Sequence, residues 1–374
     1  MGRFSAAIDL GTTTVEVSLL REDGSVIAKH GFLNPQMKFG SDVISRMTFL
    51  AKNPENDELR ELLKSGFREA LTKMLSWQNA SFPVDLSKII VTGNTVMAAI
   101  LLNVSTEPMG MFPFDMPMSH TGEFSLDGVP AYVPVGASAF LGSDSCGGAW
   151  VLPLGEDELL MDLGTNGEMI LLHDGKWHGA TAACGPAFEN CTRAQGIYGS
   201  TTLSVISKLL KMGKLPKDGT LPEEIAKYGI YEDGTIPKEE VTPEESAGAR
   251  KKKMKITPKI LHEVTLASAA VYATFSMLLK RAGISEESLK QIYLAGGFGF
   301  HLSLRDAGII GLIPESLLPK VKIVGNTSLL AAEKMAQSGI DEYDSFRQHI
   351  VTHQLAGDPD YEGIFYSSMS LRSR

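Results

Sequence analysis

AAIDLGTTTVEVSLL, residues 6–20, predicts a strand, a tight turn and a second strand. Apolar residues run up to Asp9, Gly11 supplies the turn, and apolar side chains then alternate with polar ones. A glycine turn with convergent N–H groups can bind phosphate, and an adjacent carboxylate can hold a hydrated Mg²⁺. Ordinary hairpins share this pattern, so the stretch alone leaves both interpretations open. The turn also carries three consecutive hydroxyl side chains: Thr12, Thr13 and Thr14.

The chain repeats this pattern at residues 159–172, LLMDLGTNGEMILL. Asp162 and Gly164 correspond to Asp9 and Gly11, with the same apolar run before the turn. The repeat indicates two similar halves, whose hairpins would clamp one polyphosphate from opposite walls of a cleft. We predict that Asp9 and Asp162 bind Mg²⁺ through water; the alternative for each is a cap at the end of a strand. Three further residues of the second hairpin are predicted to bind phosphate: Thr165, Asn166 and Glu168.

A third glycine turn follows a strand at residues 292–299, IYLAGGFG. In this order, the three turns resemble the phosphate 1, phosphate 2 and adenosine motifs of the actin, Hsp70 and sugar-kinase ATPase superfamily. The resemblance implies an α/β fold of two ribonuclease-H-like halves around a nucleotide cleft, with ATP as the ligand.

A closer resemblance is to the ATP-dependent reductive activators of corrinoid proteins, and it covers nearly the whole chain. Its most specific fragments are DLGTNGEM and GPAFEN. The fragments on which it rests include NPQMKFGSDVISRM (34–47), VTGNTVMAAILL (91–102), VGASAFLGSD (135–144), DLGTNGEM (162–169), GPAFEN (185–190) and VGNTSLLAAE (324–333).

This resemblance assigns further residues. Asp144 lies where the superfamily often holds an acidic residue that orients the attacking nucleophile, although a helix cap is the alternative. The chain departs from the activators at Thr265 and Ser268, where they tend to carry Gln and Lys, so a role for these two side chains is not implied. The remaining residues implied to approach the ribose and base are Gly185, Glu189, Gly296, Gly297 and Phe298.

The resemblance implies an ATPase that couples hydrolysis to the reduction of Co(II) to Co(I) in a corrinoid protein, working as a homodimer. The activators usually carry an attached iron–sulfur domain. The chain has 3 cysteines and no cluster of four. We therefore expect no iron–sulfur cluster and a separate low-potential electron donor. The chain is either a natural stand-alone ATPase or the ATPase part of a longer protein, and Met1 directly before the first strand favours the former.

Three other functions use the same fold. A small-molecule kinase would use Asp144 as its base. An activator of the 2-hydroxyacyl-CoA dehydratase type would bind a cluster between subunits through a cysteine placed like Cys184. However, the spacing to Cys191 does not match that branch, and two buried apolar thiols are favoured. A nucleotide-gated interaction module without catalysis is the third alternative.

Composition bounds these hypotheses. The 374 residues suffice for two domains, which we place at 1–152 and 153–374 with a polar insertion at about 213–255. The net charge of −9 argues against nucleic acid as a partner. The apolar runs are too short for a bilayer span, and the chain shows no signal sequence. These features predict a cytoplasmic protein without membrane association. Helical periodicity predicts helices at 57–77, 137–152, 257–282 and 326–337.

Overall fold

The computed structural model describes residues 3–40, 42–164, 166–184, 199–231, 233–236, 253–254, 256–296 and 303–374. Within it the chain forms two compact units. The first contains residues 1–160, 168–179 and 326–352, and the second contains residues 161–167, 180–325 and 353–374. The first unit is therefore built from three separate stretches of chain.

Six strands near the N-terminus form a mixed sheet in the order β3-β2-β1-β4-β6-β5. The first two strands pair antiparallel, as the opening hairpin predicts, and β1 also pairs parallel with β4. The strands are β1 (Phe4–Leu10), β2 (Thr14–Arg21), β3 (Val26–Leu33), β4 (Leu86–Gly93), β5 (Gly122–Leu126) and β6 (Val129–Val133).

The second six-stranded sheet has the order β13-β12-β7-β8-β9-β14. A separate two-stranded ribbon pairs β10 with β11. These strands are β7 (Glu158–Leu163), β8 (Gly167–His173), β9 (Lys176–Ala182), β10 (Ile230–Tyr231), β11 (Lys253–Met254), β12 (Gln291–Ala295), β13 (Val321–Gly325) and β14 (Ile350–Thr352).

Helices flank these sheets. In chain order they are α1 (Val43–Lys52), α2 (Glu58–Ser76), α3 (Thr95–Leu102), α4 (Glu107–Gly110), α5 (Ser143–Val151), α6 (Gly199–Lys211), α7 (Glu223–Tyr228), α8 (Pro258–Ala282), α9 (Leu304–Ile309), α10 (Thr327–Ser338), α11 (Asp341–Arg347) and α12 (Pro359–Ser367). Short 3-10 turns lie at Pro35–Phe39, Glu286–Ser288 and Glu315–Lys320. No helix among the described residues is both long and apolar enough to cross a bilayer.

The predicted helices at 57–77, 257–282 and 326–337 are observed as α2, α8 and α10, within two residues at each end. The helix predicted over 137–152 begins only at Ser143. Residues before it form a tight turn, in which a Cβ at Gly136 would lie 2.0 Å from the Leu141 carbonyl oxygen. The helix prediction was therefore wrong for residues 137–142, where the close approach of the backbone at Gly136 requires a turn. Much of the insertion at 213–255 lies outside the described residues.

The first sheet is covered on both faces, which explains why β1 is buried along nearly its whole length. Leu63, Phe67 and Leu71 of α2 are fully buried in one core cluster with Ile8 and the alternate apolar residues of β2. On the other face α10 packs on β1 and β4 and also contacts α5. Burial of this kind, rather than helix propensity, stabilises such helices.

The contact between α5 and α10 depends on paired glycines. A Cβ at Gly147 would lie 2.6 Å from the Cβ of Ala331, and one at Gly148 would lie 2.5 Å from Thr327 Oγ1. The Ala331 Cβ is bonded directly to the backbone, so it can move away only if helix α10 moves with it. The two helix backbones therefore lie closer together than any residue with a side chain at these positions would permit.

We predict that Gly147→Ala lowers the free energy of unfolding by about 1–3 kcal/mol, because the added methyl overpacks this contact. The matched control is Gly363→Ala in α12, where a Cβ meets nothing within 4 Å. That variant should be stabilised by roughly 0.5–1 kcal/mol, since alanine is the better helix former. Urea unfolding of both variants gives the comparison, and equal effects would contradict the packing argument.

Candidate functional site

Asp9 lies at the end of β1 with a hydrogen bond to each carboxylate oxygen. Ser328 Oγ donates to Asp9 Oδ1 over 2.7 Å, and Asn326 Nδ2 donates to Asp9 Oδ2 over 2.8 Å. Glu16 of β2 and Thr92 of β4 are the cross-strand neighbours of Asp9. Asn326 Nδ2 also reaches Glu16 Oε2 at 3.1 Å, and the Thr92 hydroxyl lies 2.9 Å from Ser328 Oγ. All five residues belong to the first unit.

The N-terminus of α10 provides both donors. Asn326 is its N-cap, and its Oδ1 accepts from Leu329 N at 2.8 Å. The same amide thus caps the helix through its oxygen and holds Asp9 through its nitrogen. Farther along α10, buried Glu333 accepts from Ser18 Oγ at 2.6 Å and pairs with Lys29 at 2.8 Å. These contacts anchor the helix to β2 and β3 and fix the position of its first turn.

The electrostatics of the site disfavour negative charge. Burial raises the pKa of Asp9 to about 7, and the neighbouring carboxylates of Asp144 and Glu16 add to this increase. Hydrogen bonds from Ser328 and Asn326 act in the opposite direction without cancelling it. Burial likewise raises the pKa of Asp144. A cation would offset this concentration of carboxylates.

Asp144 is held in the first turn of α5, beside the turn that follows β4. Its Oδ1 accepts from Ser145 N at 2.8 Å. The preceding Gly142 lies so close to that turn that a Cβ would be 2.6 Å from the Gly93 carbonyl oxygen. Ser143 Oγ in turn hydrogen bonds both the N–H and the carbonyl of Gly93. Asp144 and Asp9 belong to the same unit, and the charge of Asp144 contributes to the raised pKa of Asp9.

The turn of the first hairpin requires its glycine. A Cβ at Gly11 would lie 2.5 Å from the Thr14 carbonyl oxygen. Thr12 and Thr13 are buried whereas Thr14 is exposed. Asn94, the N-cap of α3, donates to Thr12 Oγ1 at 3.0 Å. The buried hydroxyl of Thr12 is therefore held by the protein.

The second hairpin lies beside the third glycine turn within the second unit. A Cβ at Gly296, whose φ is +88°, would meet Asp162 Oδ1 at 2.4 Å and the Leu163 carbonyl oxygen at 2.5 Å. Only glycine therefore fits there. Gly164 N donates to the Asn166 carbonyl oxygen at 2.9 Å and closes the turn. The sequence-predicted residues Asp162, Gly164, Asn166 and Gly296 thus lie close together.

Several predicted residues contribute differently or cannot be placed. Glu168 is buried and belongs to the first unit. Cys184 is a buried thiol beside Gly167, and its Sγ donates to the Ala182 carbonyl oxygen at 3.6 Å. Thr265 Oγ1 donates to the Leu261 carbonyl within helix α8. Ser268 Oγ donates to the Ile310 carbonyl and so joins α8 to the residue that follows α9. The predicted residues that lie outside the described part of the chain are Thr165, Gly185, Glu189, Cys191, Gly297 and Phe298.

The sequence interpretation missed Asn326 and Ser328 as functional residues. The fragment VGNTSLLAAE carries the family resemblance, and its pattern predicts a helix that begins after Gly325-Asn326. An Asn followed two residues later by Ser, at a strand–helix junction, is the available signal. It indicates a cap, but it does not reveal that both side chains meet Asp9.

The donor set around Asp9 fits Mg²⁺. Carboxylate and hydroxyl oxygens surround the position, and they are the hard ligands that this ion takes together with water and phosphate. The nearby amide of Asn326 is already engaged with two carboxylates. The carboxylate oxygens of this group come from Asp9 and Glu16.

The combination of this sheet, the repeated hairpin and the glycine turn defines the class of the protein as an ATPase-type α/β fold of the actin and sugar-kinase superfamily, abbreviated ASKHA. Two family profiles match the chain consecutively. The RACo middle region matches residues 4–157, and the C-terminal domain of RACo, the ASKHA domain, matches residues 156–192 and 190–374. The chain belongs to the RACo family of reductive activators of corrinoid proteins.

Two curated proteins align along most of the chain. The corrinoid activation enzyme RamQ of Eubacterium limosum is 28% identical, over 96% of this chain and 68% of the relative. The reductase of the Co(II) methylated amine-specific corrinoid protein of Methanosarcina barkeri is 23% identical, over 94% of this chain and 74% of the relative.

A solved structure supports the fold. The reductive activator for corrinoid, iron–sulfur protein superposes with a TM-score of 0.82 at 24% identity, covering 100% of this chain and 66% of the activator. At this identity the similarity establishes the fold. The chain spans about two thirds of the length of that activator.

Because the pKa of Asp9 is raised to about 7, the folded protein should bind a proton there that the unfolded chain releases near its ordinary pKa of about 4. Between these pH values the folded state holds more protons, so the free energy of unfolding should fall as pH rises from 4 to 7. Asp9→Asn, which keeps a neutral hydrogen-bonding group, should flatten this slope. Urea unfolding at several pH values, without nucleotide or Mg²⁺, tests this, and an unchanged slope would contradict it.

Proposed function

We propose that this chain is an ATPase whose nucleotide cycle drives the reductive activation of a corrinoid protein, with Co(II) reduced to Co(I). The arrangement of Asp9, held at the end of a glycine-turn hairpin by Ser328 and Asn326, is the observation that carries the proposal. Membership of the RACo family and the names of the two curated relatives support the corrinoid partner.

The two D-L-G-T hairpins are proposed to bind Mg-ATP. The first contributes the backbone N–H groups at Gly11 to Thr14 and the Asp9 carboxylate. The second contributes Asp162 and the turn from Gly164 to Asn166, together with Glu168. Mg²⁺, when bound, would neutralise charge on the phosphates. The glycine turn at Gly296 is proposed to approach the nucleoside.

Asp144 is the proposed general base for the attacking water. Burial raises the pKa of this carboxyl, which makes it a stronger proton acceptor than an exposed aspartate. Its backbone and hydroxyl contacts with Ser145 hold one carboxylate oxygen, which orients the group. Asp144 would take a proton from water as the oxygen attacks the γ-phosphorus, and ADP would leave.

Coupling to the corrinoid partner follows from differential binding. An ATP cycle can shift the Co(II)/Co(I) equilibrium only by the difference in its affinity for the two forms of the partner. We therefore propose that the protein binds the oxidised corrinoid protein more tightly than the reduced one. A separate low-potential donor supplies the electron, and a cytoplasmic homodimer without an iron–sulfur cluster is the proposed working form.

We predict that Asp9→Ala and Asp162→Ala each lower the rate of ATP hydrolysis by about a hundredfold or more, since each removes charge placed to hold the metal and phosphates. The matched control is Asp127→Asn in the turn between β5 and β6, which removes an exposed ion pair with Arg68 and should leave hydrolysis unchanged. Phosphate release assays on variants with unaltered circular dichroism give the result. Normal hydrolysis by both alanine variants would refute the assignment of the hairpins.

With an external low-potential donor and a Co(II) corrinoid protein, ATP should speed the appearance of the Co(I) absorption spectrum. Asp9→Ala should not support this acceleration, and adding the partner should raise basal hydrolysis of the unaltered protein. If ATP does not change the rate at which the Co(I) spectrum appears with any of several candidate corrinoid proteins, while ATP hydrolysis persists, a small-molecule kinase becomes the favoured function.

A further inference from the structure

The three carbonyl groups of the first hairpin turn are all held from one segment, residues 34–46. Asn34 Nδ2 donates to the Gly11 carbonyl at 2.9 Å, and Asn34 N donates to the Thr13 carbonyl at 2.9 Å. Between them, Arg46 Nη2 donates to the Thr12 carbonyl at 2.5 Å. Asn34 and Arg46 together therefore bind three consecutive carbonyls of the turn.

Arg46 is completely buried, the largest side chain of the described residues to be so. Besides Thr12, it donates to the Gly40 carbonyl at 3.2 Å and to Gln36 Oε1 at 2.9 Å. Gln36 is itself buried and donates to the Leu59 carbonyl. Burying a guanidinium costs desolvation free energy, and an apolar residue would fill the same space without that cost. Packing alone therefore does not explain an arginine at this position.

Peptide geometry determines where the N–H groups of the turn point. In a trans peptide the carbonyl of one residue and the N–H of the next point in opposite directions. Since Arg46 and Asn34 hold the carbonyls of Gly11, Thr12 and Thr13, the N–H groups of Thr12, Thr13 and Thr14 are directed away from them. The turn therefore presents its donors on the face opposite the buried guanidinium.

We propose that Arg46 is a positioning residue for phosphate binding, which rests on the proposed nucleotide function. Its hydrogen bond to the Thr12 carbonyl fixes the peptide between Thr12 and Thr13, so that the Thr13 N–H faces the ligand. Its guanidinium also places a positive charge directly behind the turn that receives the anion. Asn34 fixes the two flanking peptides in the same way. Neither side chain needs to touch the nucleotide.

This role concerns phosphates and not the nucleoside. The affinity for ATP and ADP should depend on Arg46, whereas the affinity for adenosine should not. A residue that merely supported the fold would affect all three ligands alike. The ratio of ATP to adenosine affinity therefore separates positioning from general stability.

The test uses the full chain, with equilibrium dialysis of labelled ATP and adenosine against the unaltered protein, Arg46→Met and Arg46→Lys. Arg46→Met should bind ATP about tenfold or more weakly, because the Thr13 N–H is no longer held toward the phosphates and the positive charge behind the turn is lost, with adenosine binding unchanged. Arg46→Lys keeps the charge but not the planar set of donors, so its ATP affinity should lie between the two. Asn34→Asp keeps the cap on Gln36 N, loses the donor to Gly11, and should also weaken ATP selectively.

Each outcome is decisive. If the unaltered protein binds no ATP, the proposed function fails, irrespective of Arg46. If it binds ATP and the folded Arg46→Met variant binds equally well, or loses ATP and adenosine in equal proportion, the positioning role is wrong. If neither Arg46 variant gives the native circular dichroism and a single unfolding transition, Arg46 serves the fold itself and the proposal is overturned.

Discussion

Three asparagine side chains use both ends of their amide groups, and the geometry of the candidate site depends on this. Each caps a helix through its oxygen: Asn34 to Gln36 N, Asn94 to Met97 N and Asn326 to Leu329 N. Each also donates its nitrogen into the site, to the Gly11 carbonyl, to Thr12 Oγ1 and to Asp9 respectively. The start of every one of these helices is thereby fixed to the hairpin. Aspartate would cap equally well but has no proton to donate, so only asparagine performs both tasks.

The satisfied hydrogen bonds explain how a carboxylate persists in this place. A buried carboxylate costs free energy, which the raised pKa of Asp9 records. The hydrogen bonds from Ser328 and Asn326 reduce that cost but leave a site that still favours a positive ligand. Both the hydrogen bonds and the electrostatics at the end of β1 therefore favour a hydrated cation there, with an anionic ligand bound beyond it.

Sequence reasoning predicted the hairpins, the long helices and the fold class because each depends on patterns within a few residues. The alternation in β2 and the 3.6-residue period of α2 can both be read locally. The partners of Asp9 could not be predicted in this way. Ser328 and Asn326 lie at the far end of the chain, and only the packing of α10 on β1 and β4 brings them to Asp9. The burial of Arg46 could not be predicted for a related reason, since an arginine in a polar segment ordinarily indicates a solvated surface.

The glycine pair in α5 has a consequence for how this sequence can change over evolutionary time. Gly147 and Gly148 admit α10 at a separation that no larger residue allows, and α10 carries the two donors of Asp9. A larger residue at either glycine must be accompanied by a compensating change in Thr327 or Ala331, or α10 must move and release Asp9. Two segments far apart in the chain are therefore mutationally coupled. In related sequences, substitutions at these four positions are expected to occur together.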